Sequence, residues 1–280
     1  QHPVSETPTP IPVHAGPARL DGVFETTRGE GRAALVGYLP AGFPTVAGSV
    51  DAVRALVESG CDIVEVGVPY SDPVMDGPTI AAAAGTALTN GARVRDVFTV
   101  VEAVAEAGGA AVVMTYWNPV MKYGVDRFAA DLASAGGLGM ITPDLIPDEA
   151  GDWLQASDEH HLDRIFLVAP SSTEERLSRT VQSSSGFVYA ASTMGVTGAR
   201  DVVSSAAPEL AARIRVHSDI PIGIGLGVRS GEQAAEIAAY ADAVIVGSAL
   251  VSAVNEGAGA VASLTEELAR GVRSAAESAR

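Results

Sequence analysis

The feature that most constrains this chain is a regular alternation of short apolar runs with longer helix-type segments. Eight runs have the buried, β-branched character of strands, at residues 34–38, 62–66, 110–115, 139–142, 164–168, 187–191, 220–224 and 243–246. Alanine-rich segments with helical periodicity lie between them, at residues 50–59, 94–107, 125–135, 232–239 and 261–276. Such alternation indicates βα units on a parallel sheet. About eight units in about 250 residues predict an α/β fold, a single (β/α)₈ TIM barrel, with a doubly wound open sheet as the alternative.

Composition limits the context in which the chain works. Residues 1–16 are proline-rich and lack periodicity, so we expect a flexible tail before a single barrel domain at residues 17–280. The formal net charge is −16, and such an acidic surface repels nucleic acid and anionic membranes. The single cysteine, Cys61, indicates a reducing compartment. Because no signal peptide or membrane-length apolar segment is visible, we expect a cytoplasmic protein.

Glu65 is the residue that most strongly suggests catalysis. It lies at the end of the second apolar run, just before a turn-rich segment at residues 70–79. A carboxylate buried there without a partner is costly, and the favoured remedies are an ion pair or a raised pKa. A raised pKa suits general acid–base chemistry, so Glu65 is a candidate catalytic group, with a structural ion pair as the alternative. For Asp76, in the following turn, a turn-stabilising role is at least as good an explanation as a catalytic one.

Glycine-rich turns late in the chain are candidates for binding phosphate. They lie at residues 194–198, 224–227 and 246–248, directly after predicted strands. Backbone amides in such turns can hold an oxyanion without Lys or Arg, and barrels often bind phosphate after strands seven and eight. Each glycine considered alone is equally well explained as closing a turn. The pair His160 and His161 lies in a polar loop, where we expect solvated surface rather than a metal site.

Several segments closely resemble the tryptophan synthase α subunits. The most specific is VEVGVPYSDP at residues 64–73, which continues as DGPTI at residues 76–80. Further matches, in the order typical of the family, are GYLPAGFP at 37–44, MTYWNP at 114–119, PDLIP at 143–147, GVTG at 195–198 and VGS at 246–248. Together they extend over most of the predicted barrel.

The resemblance implies a (β/α)₈ barrel that acts as a carbon–carbon lyase of tryptophan biosynthesis. The implied reaction is the retro-aldol cleavage of indole-3-glycerol phosphate to indole and glyceraldehyde 3-phosphate. The resemblance assigns catalysis to Glu65 and Asp76, and a mobile loop to Thr197. The implied phosphate contacts are Gly198, Gly225, Gly227, Gly247 and Ser248. The implied indole pocket contains Tyr38, Met114, Tyr116, Ile141, Pro143 and Tyr189.

The resemblance also implies a partner and leaves alternatives. The family works with a β subunit, which carries pyridoxal phosphate and receives indole through a tunnel in an α₂β₂ heterotetramer. We expect no metal or organic cofactor in this chain, and we expect residues 71–79 and 195–198 to act as lids. The alternatives are a free-standing lyase that releases indole, another phosphate-binding barrel and an inactive partner of a β-type subunit. Glu65 and Asp76 argue against the last two.

Overall fold

A computed structural model describes residues 20–72, 76–191, 200–225 and 227–278. Within these ranges the strands are β1 Ala34–Pro40, β2 Ile63–Gly67, β3 Ala110–Met114, β4 Gly139–Ile141, β5 Asp163–Ile165, β6 Leu167–Val168, β7 Val188–Ala191, β8 Ile222–Gly225 and β9 Ala243–Val246. The helices are α1 Asp21–Gly29, α2 Val46–Glu58, α3 Pro78–Thr89, α4 Val94–Glu106, α5 Trp117–Tyr123, α6 Val125–Ser134, α7 Gly151–Glu159, α8 Glu174–Ser183, α9 Arg200–His217, α10 Gly231–Ala238, α11 Ser248–Val254 and α12 Ala258–Ser278. A 3₁₀ helix lies at Pro147–Glu149.

The strands form a parallel barrel, which confirms the predicted fold. Their order is β5-β4-β3-β2-β1-β9-β8-β7-β6, and every paired neighbour is parallel. The two ends of this order, β5 and β6, are separated in the chain only by Phe166. Phe166 itself is bonded to β7, because the N–H of Tyr189 donates to the carbonyl of Phe166 at 3.1 Å. The predicted fifth run, residues 164–168, is therefore one barrel position made of two short strands.

Burial on both faces explains why the strands appear in the sequence as continuous apolar runs. Every residue of β1, β2 and β9 is buried, as expected for parallel strands covered by helices. Alternate side chains point into the barrel or outward to the helices. The inward side chains form one cluster, which contains Phe187 just before β7 and the strand residues Ala34, Val36, Ile63, Ala110, Val112, Ile141, Ile165, Ala243 and Ile245. The outward side chains join the larger apolar layer between sheet and helices.

Side-chain caps fix where two of the outer helices begin. The hydroxyl of Thr45 accepts a hydrogen bond from the N–H of Gly48 at 3.0 Å, so α2 begins at Val46 rather than at the predicted residue 50. The hydroxyl of Ser230 accepts from the N–H of Gln233 at 3.2 Å and caps α10. These caps follow β1 and β8, so both helices begin at the carboxyl end of the barrel.

Helix α1 closes the amino-terminal end of the barrel, and the periodicity of the sequence did not predict it. Leu20 and Phe24 belong to the interior cluster. The ring of Phe24 contacts Phe187 edge-on, with centroids 6.0 Å apart. The N–H of Leu20 donates to Oδ2 of the buried Asp163 at 2.7 Å, which anchors the start of the helix. The carboxyl ends of the strands are therefore left as the open side of the barrel.

The predicted tail, residues 1–16, lies outside the described residues. The barrel is described from Leu20 onward, three residues after the predicted start of the domain. Within the described ranges, none of the helices is both long enough and apolar enough to cross a membrane.

The role of α1 as a plug predicts a large loss of stability on truncation of Phe24. Phe24 is 2% exposed, so Phe24→Ala leaves a cavity in the interior cluster and should lower the free energy of unfolding by about 3–5 kcal/mol. Urea denaturation followed by circular dichroism measures the change. Val216→Ala, at a side chain that is 81% exposed, is the control and should change stability by less than about 0.5 kcal/mol. A loss below about 1 kcal/mol for Phe24→Ala would contradict the plug.

Candidate active site

Glu65 lies inside the barrel near its open end. It follows the inward-facing Ile63 by two residues on β2 and is paired in register with Tyr38 of β1 and Val112 of β3. The side chain is 1% exposed, and its Oε1 has no hydrogen-bond partner among the described residues. Burial raises the pKa of Glu65 to about 8, because the charged form has lost its hydration. Glu65 is thus a carboxyl whose raised pKa favours the protonated form at neutral pH, and no Lys or Arg within the described ranges forms an ion pair with it.

Two tyrosine hydroxyls lie within electrostatic reach of Glu65. Burial raises the pKa of Tyr38 most, and negative charge on Asp76 and then on Glu65 raises it further. Burial also raises the pKa of Tyr189, again with a contribution from Glu65. Both phenols therefore stay neutral and can donate hydrogen bonds to a carboxylate or a ligand.

Asp76 lies two residues before α3 and is held by a tyrosine. The Tyr116 hydroxyl donates to Oδ1 of Asp76 at 3.3 Å. Burial raises the pKa of Asp76, while the bond from Tyr116 lowers it. This contact to the open end of β3 goes beyond what a simple turn residue requires, and it places a second carboxyl at the mouth of the barrel.

A small polar cluster extends this contact. The rings of Tyr70 and Tyr116 have centroids 5.5 Å apart, and Nδ2 of Asn118 donates to the Tyr70 hydroxyl at 3.3 Å. Tyr70 was not among the predicted site residues. Its signals in the sequence are its place in the turn-rich segment after β2 and in the family-like segment at residues 64–73, but its contact partner lies 46 residues away along the chain.

The apolar wall of the mouth continues across neighbouring strands. Met114 is paired in register with Gly67 on one side and Ile141 on the other, and Pro143 follows two residues after Ile141. Leu167, which was not among the predicted site residues, is paired with Tyr189 and packs against the interior cluster. Its signal was concealed because it lay in a run that looked like one uninterrupted strand.

Glycines at the ends of β8 and β9 bring backbone to the same mouth. A Cβ on Gly225 would lie 2.7 Å from the Tyr189 hydroxyl, so that hydroxyl occupies the space a side chain would need. Gly227 has φ +66°, which turns the chain away from β8 in a conformation that favours glycine. Gly247 precedes Ser248, the first residue of α11. The predicted contacts Thr197 and Gly198 lie outside the described residues.

One group of potential metal ligands lies away from the mouth, on α6 and α7. Ligand atoms of Asp126, Glu159 and His160 lie within 4.8 Å of one another, and Nε2 of His160 is 2.8 Å from Oδ1 of Asp126. Asp126 and Glu159 are exposed, and Glu159 accepts a hydrogen bond from Gln155. These contacts are also those of an ordinary polar surface.

Fold and site together define a (β/α)₈ barrel with a buried carboxyl of raised pKa and glycine-rich turns at its open end, the end at which enzymes of this fold carry their active sites. The sequence model of the family described as tryptophan synthase alpha chain matches residues 24–280. The chain belongs to this tryptophan synthase alpha chain family.

Individual relatives agree with this assignment. The alpha chain of Nocardia farcinica is 73% identical over 258 residues, which cover 92% of this chain and 97% of the relative. The alpha chain of Mycobacterium tuberculosis is 70% identical over 256 residues, covering 91% and 95%. A structure of M. tuberculosis tryptophan synthase matches with a TM-score of 0.89 and 68% identity, covering 92% of this chain and 99% of that one. The alpha subunit from Legionella pneumophila, at 28% identity, still reaches a TM-score of 0.84, with 92% and 100% covered.

Membership of the family fixes the general activity. The chain is a lyase of tryptophan biosynthesis that performs the alpha-chain reaction, the retro-aldol cleavage of indole-3-glycerol phosphate. The alternative of a free-standing lyase that releases indole is not favoured by these relatives. The alternatives of another phosphate-binding barrel and of an inactive partner are likewise not supported.

The burial of Glu65 predicts a pH-dependent stability difference. The folded pKa of about 8 lies above the value of about 4.3 for an unfolded glutamate, so stability from the protonated form is complete below about pH 4 and is lost as pH rises to about 8. Glu65→Gln cannot ionise and escapes this loss. Its free energy of unfolding relative to the parent protein should therefore increase by about 1.4 kcal/mol for each pH unit between about pH 5 and pH 8.

Urea denaturation at four pH values in this window measures that slope. Glu102→Gln, at an exposed position on α4, is the matched control. A difference between Glu65→Gln and the parent protein that does not vary with pH would contradict a buried, protonated Glu65.

Proposed function

We propose that Glu65 is the acid–base group of the cleavage and that Asp76 stabilises the charge that develops on the indole ring. The observation that carries the proposal is the state of Glu65, which is buried at the mouth, has no described partner for Oε1 and has a pKa of about 8. Such a carboxyl is protonated at neutral pH. Its pKa is close enough to neutral pH for it to donate a proton and then accept one again.

One carboxyl can balance both proton transfers of the reaction. Glu65 gives its proton to C3 of the indole, which leaves positive charge shared with the ring nitrogen. The resulting carboxylate then removes the proton of the hydroxyl on the adjacent glycerol carbon. As the aldehyde forms, the electron pair of the carbon–carbon bond returns to the ring and neutralises it. Indole keeps the new proton on C3, and Glu65 is protonated again.

Asp76 suits the task of accepting the indole N–H. Burial, the larger effect, raises the pKa of Asp76, and the hydrogen bond from the Tyr116 hydroxyl to Oδ1 favours its carboxylate form. A carboxylate placed in advance at the ring nitrogen interacts more strongly with the transition state than with the neutral substrate. Asp76 would thus lower the barrier to protonation of C3.

The remaining mouth residues provide the binding surfaces in this proposal. The indole ring packs among Tyr38, Met114, Tyr116, Ile141, Pro143 and Tyr189. Leu167 extends the same apolar wall. The phosphate binds to backbone amides of Gly225, Gly227, Gly247 and Ser248, while Gly198 and the mobile-loop residue Thr197 complete the site.

Turnover of two variants tests the chemistry. Glu65→Gln should lose about 10²–10⁴-fold in kcat while it still binds substrate, because only the proton transfer is removed. Asp76→Asn should also lose most turnover without a change in the circular dichroism spectrum. In the parent enzyme kcat/KM should fall as pH rises through about 8, since the proton donor becomes deprotonated. Glu102→Gln is the control; near-normal turnover of Glu65→Gln would refute the mechanism.

We further propose that the chain acts in the cytoplasm with a β subunit, in an α₂β₂ complex whose pyridoxal phosphate belongs to the partner. Free indole is small and apolar, so direct transfer prevents its escape. Exposed apolar side chains at the open end support a docking surface: Met121 on α5 is 55% exposed and Ile146 is 45% exposed. A hydrogen bond joins the start of α5 to the loop that carries Ile146, because the N–H of Trp117 donates to Oδ1 of Asp144 at 2.9 Å.

Titration with a bacterial tryptophan synthase β subunit tests this partnership. We expect turnover of the chain to rise as β subunit is added. Met121→Asp should raise the β concentration needed for half-maximal activation about tenfold, because a charge enters an apolar interface. Val216→Asp is the matched control, an equally apolar exposed side chain near the end of α9, which leads to the start of β8. An absence of activation across the titration would contradict the partnership.

A further inference from the structure

A second cleft lies beside the proposed phosphate turn. It has a volume of about 430 Å³ and is bordered by the start of α3, by α11, by the first part of α12 with the turn before it, and by the loop before α10. Its polar lining comes from Thr79, Arg229, Ser248, Ser252 and Glu256. None of the roles assigned above uses Arg229 or Glu256, and Thr79 enters them only as the last residue of the expected lid at residues 71–79.

The proposed phosphate turn separates this cleft from the mouth of the barrel. A Cβ on Gly247 would lie 3.8 Å from Cδ1 of Tyr38 and 3.4 Å from Cδ1 of Ile80, so Gly247 faces the mouth. The next residue, Ser248, lines the cleft. A phosphate held by the amides of this turn would thus be accessible to a side chain that reaches over from the cleft.

The backbone around Arg229 is firmly anchored. The N–H of Arg229 donates to Oε1 of Gln233 at 2.7 Å, and Ser230 caps α10. Helix α10 packs closely on α12 at this point, since a Cβ on Gly231 would lie 2.7 Å from the carbonyl oxygen of Glu267. Arg229 therefore lines the cleft from an anchored backbone, and Ser248 belongs to the same lining.

The charge of Arg229 is not used within the described structure. Arg229 forms no ion pair with any residue in the described ranges, and Glu256 of the same cleft is not within ion-pair distance of it. Other arginines, such as Arg32 with Asp62 and Arg213 with Glu174, are paired. In a chain with a net charge of −16, an unused guanidinium beside an anion-binding turn offers local attraction for a phosphate.

We propose that Arg229 is a phosphate-positioning residue that contacts the substrate phosphate from the cleft side. This rests on the proposed phosphate site at the turns that follow β8 and β9. The amides of the turn bind one side of the phosphate, and the guanidinium gives charge-assisted hydrogen bonds to the other. Arg229 thereby sets the preference for a substrate with a phosphate at the end of its glycerol chain.

Steady-state kinetics of Arg229→Gln test the assignment. The KM for indole-3-glycerol phosphate should rise about tenfold while kcat changes less than about twofold, because the contact is the same in ground and transition states. Competitive inhibition by glycerol 3-phosphate should weaken by the same factor. Inhibition by indole, which has no phosphate, should be unchanged. Arg229→Lys keeps the charge and should recover much of the lost affinity.

Arg95→Gln is the matched control, since Arg95 is also exposed and unpaired within the described residues but lies on α4. An unchanged KM in Arg229→Gln, or an equal weakening of indole inhibition, would overturn the role of Arg229. If glycerol 3-phosphate failed to compete even with the parent enzyme, the phosphate turn and Arg229 would both be refuted. Competition in the parent enzyme with no effect of Arg229→Gln would refute Arg229 alone.

Discussion

The exclusion of water around Glu65 is the constraint on which the rest of the site depends. In water this carboxyl would be ionised at neutral pH and a poor proton donor. Inside the barrel, desolvation raises its pKa to about 8 and nothing described neutralises Oε1. The free-energy cost of burying this carboxyl is offset by the apolar packing of the interior cluster and of α1, whose Phe24 closes the opposite end of the barrel. The same apolar interior that stabilises the fold therefore gives Glu65 the raised pKa that the proposed chemistry needs.

Strand register converts this single group into a site. Pairing of β1 with β2 places Tyr38 beside Glu65, and pairing of β2, β3 and β4 aligns Met114 and Ile141 along the wall. Glycine at the end of β8 leaves room for the Tyr189 hydroxyl. Because register in a closed parallel barrel fixes which residues face inward, a small number of strand-end positions meet at one mouth.

Features that depend on local sequence patterns were predictable, and features that depend on contacts between distant residues were not. The strands and the role of Glu65 as a buried carboxyl were predictable, since doubly buried strands leave continuous apolar runs in the sequence. The break at Phe166 was not, because one irregular residue leaves such a run intact. Helix α1 was also missed, although the buried ring of Phe24 packs against Phe187. The contact of Asp76 with Tyr116 joins residues 40 apart in the chain, and local patterns contain no information about it.

The sequence by itself determined the barrel class, the family and the identity of the candidate catalytic carboxyls. It could do so because binary patterning and a highly specific motif are properties of neighbouring residues. Only the tertiary structure decided that Glu65 is buried with a raised pKa and that Tyr116 forms a hydrogen bond to Asp76. It also decided that Arg229 and Ser248 line the same cleft. These depend on solvent exclusion and on contacts between residues remote in the chain, which exist only once the barrel has closed.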